Sequence, residues 1–365
     1  MTKIELNKKE FIKALVVGGS FSGKSKLMPI LDCVKIKVSN GNITIVSSDN
    51  ENAISKKSDI ISSDGNLSFC VNYKDISSYV KLINGEKVFL DVDDSSIKIR
   101  HNNGSIDLPI YDSNDFPLLS AEKESVEITL DSYLLNNWII DSKEFIGDDD
   151  LRPVMNSLYL YSKNGELGCC ATDSNILFTD NVNESNIDFS FMINKNSFKS
   201  ICDVCSSSEK IIIKIGEKSA MFIGENISVL ATLQNGNYPN FKNILPQTSP
   251  IEVKLSKKEL LDSINRVKLG ADNSSCLIKI VVSGMNMEVS AQDIDFNRKA
   301  VENIMVNANG EITIGFNANR LITSLNSINS ENVIMKFTDK SRPCLINEDD
   351  EKSNKTVLIM PMILN

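Results

Sequence analysis

The sequence predicts an α+β chain of three tandem, similar domains, each with two helices packed on mainly antiparallel sheet. Three observations carry this. A strand-to-helix signature occurs three times, at Lys3–Leu15, Glu127–Trp138 and Ile251–Ile264. A second one recurs at Phe69–Ile76, Phe191–Phe198 and Ile314–Leu321, with its asparagines Asn72, Asn194 and Asn317 about 122 residues apart. A further strand follows each second helix, beginning at Glu86, Glu209 and Glu331. Such a period is domain-sized and too long for a solenoid repeat.

Each first signature opens as an alternating strand ending in Leu6, Leu130 or Leu255. Asn7, Asp131 or Ser256 follows, a side chain that accepts hydrogen bonds from the free N–H groups of a first helical turn. Next come Phe11-Ile12 with Leu15, Leu134-Leu135 with Trp138, and Leu260-Leu261 with Ile264. That spacing buries one helical stripe and leaves the other face wet. In the second signatures the three asparagines occupy the N-cap position. Asn-Gly pairs at Asn40-Gly41, Asn103-Gly104, Asn164-Gly165 and Asn309-Gly310 predict hairpin turns. Ala121–Ser125 and Pro246–Pro250 read as linkers, giving domains 1–124, 125–248 and 249–365. The acidic stretch Asn347–Asn354 reads as a solvated loop before the last strand.

With 365 residues there is ample chain for real cores. No apolar run approaches the ~20 residues that span a bilayer. Met1–Leu6 starts a strand directly, without signal-peptide architecture, so a cytoplasmic protein is expected. Of the eight cysteines, Cys33, Cys70, Cys276 and Cys344 lie in or beside apolar strand-like runs and are expected as reduced thiols. A net charge of −9 excludes a protein that coats nucleic acid over its whole surface, but not a local basic patch.

Several patterns invite a catalytic reading. Gly18–Ser25 matches the P-loop spacing letter for letter, and a P-loop NTPase is the alternative it defines. A phosphate loop must pass from strand into helix. Here a capped helix precedes it and Pro29 follows too soon for another, so a Gly/Ser/Lys loop is expected. Cys202 and Cys205 have zinc or redox spacing, with Cys169-Cys170 as a second pair, but they fall on a helix where i and i+3 share a face. Buried thiols are expected, and no metal. His101, the single histidine, neighbours a turn and reads as a surface residue; Gly147–Asp150 needs only solvent. No nucleophile, base and orienting group recur at catalytic spacing. The chain reads as non-enzymatic, with no cofactor.

The helices concentrate basic residues that the chain as a whole lacks. Lys8, Lys9, Lys13, Lys74, Lys81, Lys195, Lys199, Lys257, Lys258, Arg266, Lys268 and Arg320 fall on helices or their first turns. They outnumber the acids there, Glu10, Asp75, Asp203, Glu259 and Asp262. A weakly basic helical lining in an acidic shell would hold phosphates without reading bases.

Further stretches carry a resemblance: Leu27–Leu31, Asp115–Leu119, Leu151–Asn156, Ala171–Leu177, Tyr238–Phe241 with Ile244–Pro246, and Val357–Leu364. Over essentially its whole length the chain resembles the bacterial DNA polymerase III beta subunit, the sliding-clamp family. The resemblance implies DNA-clamp domains forming half of a ring, closed as a head-to-tail homodimer around double-stranded DNA of any sequence. It implies a processivity factor whose partners are the polymerase III catalytic subunit, the clamp loader and other clients carrying a short linear motif, with a non-enzymatic scaffold of clamp-like domains as the remaining alternative. The implied client cleft comprises Met155, Thr172, Ser174, Asn175, Ile176, Leu177, Pro239, Asn243, Ile244, Ser341, Pro343, Leu358, Ile359, Met360, Pro361 and Met362. The implied DNA-facing set is the helical bases through Lys258 with Arg266 and Arg320, joined by Lys24, Lys26 and Arg152. Ring closure is assigned to Ser105, Ile106 and Leu108 against Leu269, Phe296, Arg298, Ala300 and Glu302. Where the family has Gly-His-Arg after Ala-Thr-Asp, this chain has Ser174-Asn175-Ile176, and a commonly basic position is Asn243; a less basic cleft is expected.

Overall fold

A computed structural model describes residues 1–23, 28–117, 122, 125–149, 151–182 and 187–364. Expectations resting on Lys24, Lys26, Leu27, Leu118, Leu119, most of the first linker, Asp150 and Asn365 lie outside the described residues.

One order of elements appears three times. The first run opens with β1 (Thr2–Asn7) and α1 (Lys8–Gly18). It continues through β2 (Cys33–Ser39), β3 (Asn42–Ser48), β4 (Ala53–Asp59), the two-residue β5 (Ser62–Ser63) and β6 (Leu67–Asn72). Helix α2 (Tyr73–Leu82) then leads to β7 (Lys87–Val92), β8 (Ser96–His101) and β9 (Gly104–Asp112). The second run has β10 (Val126–Asp131), α3 (Ser132–Ser142), β11 (Ser157–Lys163), β12 (Glu166–Thr172), β13 (Ile176–Val182) and β14 (Phe189–Asn194). It closes with α4 (Phe198–Cys205), β15 (Lys210–Ile215), β16 (Ser219–Ile223) and β17 (Ile227–Thr232). The third has β18 (Ile251–Ser256), α5 (Lys257–Val267), β19 (Leu277–Ser283), β20 (Asn286–Asp293), β21 (Arg298–Met305), β22 (Asn307–Ala308) and β23 (Ile312–Asn317). Helix α6 (Ala318–Asn326), β24 (Asn332–Phe337), β25 (Cys344–Glu348) and β26 (Thr356–Ile359) complete it.

The helix starts follow from their caps. Asn7 Oδ1 accepts from the N–H groups of Lys9 and Glu10, Asp131 from Leu134, and Ser256 from Glu259. The residue after each cap donates its N–H to a glutamate carbonyl ahead of the later strand: Lys8 to Glu86, Ser132 to Glu209, Lys257 to Glu331. Phe11 and Leu15, Leu135 and Trp138, and Leu260 and Ile264 are buried, as the helical spacing requires. Asn72 and Asn317 cap α2 and α6. At Asn194 the chain first makes a tight 3-10 turn over Lys195–Ser197, so α4 starts only at Phe198. The hydroxyl of Ser197 lies 3.1 Å from Asn52 Oδ1 and ties that turn to the first run.

Asn40-Gly41 and Asn164-Gly165 form the expected hairpin turns, all four residues with positive φ. The β8–β9 turn instead centres on Asn102-Asn103, since His101 pairs Gly104. Asn309-Gly310 is not a hairpin: β22 before it pairs with β18, and β23 after it with β19. Asn309 is used to bind Glu252, its side chain accepting from the N–H and its own N–H donating to the carbonyl.

The chain divides into two compact units, Met1–Asn136 with Asn196–Leu233, and Asn137–Lys195 with Gln234–Asn365. The first contains a thirteen-stranded sheet in the order β10-β15-β16-β17-β4-β3-β2-β6-β9-β8-β7-β1-β5. The second contains a nine-stranded sheet, β14-β11-β12-β13-β26-β25-β24-β18-β22, and a four-stranded one, β21-β20-β19-β23. The division runs through the middle run because β17 continues the sheet of the first run and β13 that of the third. No helix among the described residues is long and apolar enough to cross a membrane.

Candidate functional site

The expected cleft gathers where β13 meets β26 in the second unit. The two strands are antiparallel, with Ile176 opposite Ile359 and Leu177 opposite Leu358, all four buried. Leu177 and Leu358 join Tyr161, Cys170 and Phe241 in one apolar cluster. Phe241 is pressed there by a short strap in which Phe241 N–H donates to the Pro239 carbonyl and Ile244 N–H to Phe241. Ile244 and Met360 stay substantially exposed at the rim, as an apolar surface open to a partner would.

The turn ahead of β13 is held by its own side chains. Asp173 Oδ1 accepts from the N–H groups of Asn175 (2.7 Å) and Ile176 (2.8 Å), and Thr172 Oγ1 donates to the Ile176 carbonyl at 2.7 Å. Ser174 sits at φ +80°, the left-handed region where the family's glycine is at ease. Its hydroxyl lies 3.2 Å from Met155 Sδ. Beyond β26, Met360 N–H donates to the Asn175 carbonyl and Met362 N–H to the Gly315 carbonyl, both at 2.8 Å. A Cβ on Gly315 would come within 2.8 Å of the Met362 carbonyl oxygen, so only glycine lets the C-terminal segment lie there. Ser341 and Pro343 belong to the turn leading into β25, where Asp339 accepts from Ser341 and Arg342.

Four cations flanking this seam face carboxylates. Arg152 binds Asp149 at 2.9 Å and donates to Ser174 Oγ at 2.8 Å. Arg320 lies 3.6 Å from Asp173, Arg342 3.6 Å from Asp339, and Lys242 2.8 Å from Glu166. Two residues assigned to DNA, Arg152 and Arg320, are therefore engaged at the turn of the expected cleft.

Other expected DNA contacts sort in the same way. Lys8 Nζ donates to the Ile83 carbonyl and Lys257 Nζ to Ile328 (2.7 Å), so each latches its helix to the end of the next. Lys195 pairs with Asp148, and Arg266 with Glu302. Lys9, Lys13, Lys74, Lys81, Lys199 and Lys258 are exposed, with no carboxylate in salt-bridge range among the described residues. Of the two cysteines expected to be buried, Cys205 is and Cys202 is only half-buried; burial raises the Cys205 thiol to about 12 and the Cys70 thiol to about 12. His101 packs edge-on to Tyr79, and Gly18 ends a helix, the reverse of a phosphate loop.

Sequence reasoning missed a buried charge cluster beneath the seam. Lys355, immediately before β26, binds Asp141 at 2.7 Å and Glu348 at 3.4 Å. Nearby, Trp138 Nε1 donates to Asp180 at 2.9 Å, while burial raises that carboxyl. No local pattern marks these residues, which come from four separate elements.

An apolar two-strand seam with an ordered turn and a continuing C-terminal segment, on a thrice-repeated α+β plan, defines a clamp-type chain. The sequence matches two family descriptions, DNA polymerase III beta subunit, N-terminal domain, over residues 2–120, and its C-terminal domain over 242–363. The chain belongs to the DNA polymerase III beta subunit family. It is 25% identical to a beta sliding clamp of Streptococcus pneumoniae and 23% to that of Rickettsia bellii, covering 99% or more of either chain in each case. Among solved structures it is similar to the sliding clamp of Pseudomonas aeruginosa bound to griselimycin (TM-score 0.94, 18% identity). It is also similar to that of Bacillus subtilis (TM-score 0.92, 22% identity), with both chains covered fully in both comparisons.

Proposed function

We propose that this chain is a DNA sliding clamp, a non-catalytic processivity factor that two copies close into a ring around duplex DNA inside the cell, in the cytoplasm. Clients, the replicative polymerase and the clamp loader among them, would dock at the β13–β26 seam. A solved Caulobacter crescentus beta clamp, similar at TM-score 0.91, carries polyethylene glycol at a region described as tethering the β-binding motif. A ring that cannot dissociate sideways needs only weak phosphate contacts, and a tethered polymerase rebinds at high effective concentration. Lys9, Lys13, Lys74, Lys81, Lys199 and Lys258 are the free amines for those contacts. We place the domain limits near 124 and 248, where the element order restarts.

The observation that carries the ring is a strand register. β17 pairs with β4, placing Leu230 opposite Ala53, and β26 pairs with β13, placing Leu358 opposite Leu177. The position in each run is the same. This leaves over β9 of the first run and β21 of the third: β21 is the edge of its sheet, and β9 meets β6 only over Ile110–Asp112. The same register between two copies sets Asp107 opposite Lys299, Ile106 opposite Ala300 and Ser105 opposite Val301. Opposite charges then face each other where the exposed edges close. Asp107 and Lys299 join the interface expected from sequence, while Phe296 and Leu269, both exposed, are the apolar surface to cover.

Two measurements test this. Protein loaded on nicked circular DNA should stay bound until the circle is linearised; retention on the linear product would refute topological binding. In sedimentation, Lys299→Asp and Asp107→Lys should each shift the chain toward monomer, and the double exchange should restore the dimer. Additive weakening would refute the register.

A further inference from the structure

We propose that an open groove beside the β13–β26 seam is a second docking subsite, taking an aromatic or proline side chain from the extended segment that flanks a client's cleft-binding residues. The inference rests on the cleft reading above and extends it. The groove holds about 810 Å³ and is walled by Tyr159, Tyr161, Phe189, Tyr238 and Pro239, with Lys163 at its mouth. Tyr159 and Tyr238 stack in parallel, their centroids 4.7 Å apart and their planes within 4°. Tyr161 continues the stack at 5.5 Å.

This wall is built rigidly. Tyr161 donates its hydroxyl to Glu166 at 2.6 Å, and Lys242 binds both oxygens of Glu166 at 2.8 and 2.9 Å while lying over the Tyr161 ring. Gly168, opposite Tyr161, leaves room for the ring: a Cβ there would sit 2.6 Å from the tyrosine hydroxyl oxygen. Apolar ring edges held in place along a groove wall favour aromatic and proline rings, which lose little entropy on packing there.

Continuity decides the occupant. Pro239 and Asn243 line the groove and also belong to the expected cleft. Tyr161 shares one apolar cluster with Leu177 and Leu358 of the cleft floor, with Tyr159 and Tyr238 packed against it. β11, which carries the tyrosines, is separated from β13 only by β12. Two strand spacings are roughly 10 Å, a distance that about three extended residues cover.

The probe is a fluorescein-labelled peptide, Ser-Leu-Ser-Leu-Phe, whose alternating leucines suit the apolar floor. It is compared with versions extended by Gly-Gly-Pro-Trp at the C-terminus and by Trp-Pro-Gly-Gly at the N-terminus, by anisotropy on the full-length protein. One extension is expected to tighten binding about three- to tenfold. Phe189→Ser on the far wall, and Asn240→Trp at the exposed lip, should remove that gain and leave the affinity of the short peptide unchanged. A short peptide that binds while neither extension helps, or a gain that survives both substitutions, overturns the groove and leaves the cleft standing. A short peptide that does not bind overturns both.

Discussion

The β4–β17 seam of the first unit and the β13–β26 seam of the second are built on one register and finished differently. Both follow a four-residue turn opened by an aspartate, Asp49 or Asp173, whose carboxylate accepts from N–H groups two and three residues on. Both place the next residue in the left-handed region, Asn50 at φ +79° and Ser174 at φ +80°. The last residue of the turn is Asn52 in one and Ile176 in the other. Asn52 Oδ1 accepts from Thr232 N–H, and Thr232 Oγ1 donates to the Glu51 carbonyl, so polar bonds seal the first seam. Ile176 makes the second seam an apolar floor, and the chain beyond it runs on to Gly315. One framework thus yields a seam sealed by polar bonds in one place and an apolar seam in another, the two differing at the last position of the turn.

The largest expected effect lies beneath the second seam. Where the first has buried Ile227, the second has buried Lys355, paired to Asp141 and Glu348. Lys355→Met should cost about 3–5 kcal/mol in urea unfolding, because two buried carboxylates lose their partner. Burial is the largest single influence and works against the Lys355 charge, but the Asp141 bond together with the negative charges of Asp141, Glu348 and Asp180 outweighs it and holds the amine above the ordinary lysine value. A raised folded pKa gives a contribution complete below that ordinary value of 10.5 and lost as pH rises through the raised one. The stability gap between wild type and Lys355→Met should therefore shrink at strongly alkaline pH. A gap constant from pH 8 to the alkaline limit would deny the lysine that role.

The contrast at the turn can be broken from either side. Asn52→Ala strands the buried Ser197 hydroxyl and the partly buried Thr232 N–H and should destabilise by about 1–3 kcal/mol without touching client binding. Ile176→Asn buries an amide beside a Met360 N–H that already has the Asn175 carbonyl, at a similar cost of about 1–3 kcal/mol. It should also weaken the short peptide in anisotropy. Peptide affinity that falls in Asn52→Ala, or holds in Ile176→Asn, would mean that the floor is not where the turn residue puts it.

What could be read beforehand was local. Asn7, Asp131 and Ser256 announce their helices because a cap and its turn lie within four residues. Asn40-Gly41 announces its hairpin because two adjacent residues need positive φ. Asn309-Gly310 misled because the strands on either side choose distant partners, and no nearby residue records that choice. For the same reason no local pattern shows either seam, since Leu230 meets Ala53 and Leu358 meets Leu177 across more than 170 residues; only the family resemblance grouped Leu177 with Leu358 beforehand. The basic residues were counted correctly but not sorted. Only the fold brings Ile83 to Lys8, Ser174 to Arg152 and Asp173 to Arg320, leaving a smaller set of amines free for phosphate.

That pairing sets the smallest and last effect. With Arg152, Arg320, Arg342 and Lys242 each opposite a carboxylate, a client peptide docking at the apolar floor would meet mostly compensated charge. Its affinity should change by less than about twofold between 0.05 and 0.3 M salt, since screening acts only on uncompensated charge. Asp173→Asn sharpens the point. The amide oxygen can still accept from Asn175 and Ile176, so the turn survives, but Arg320 loses its counter-charge. A glutamate-bearing peptide should then bind about threefold tighter at low salt, the scale of one exposed ion pair, and lose the gain at 0.3 M. A strong salt dependence in the wild type would show instead that the arginines exchange their carboxylates for the client's, and that the family's basic cleft persists here under another arrangement.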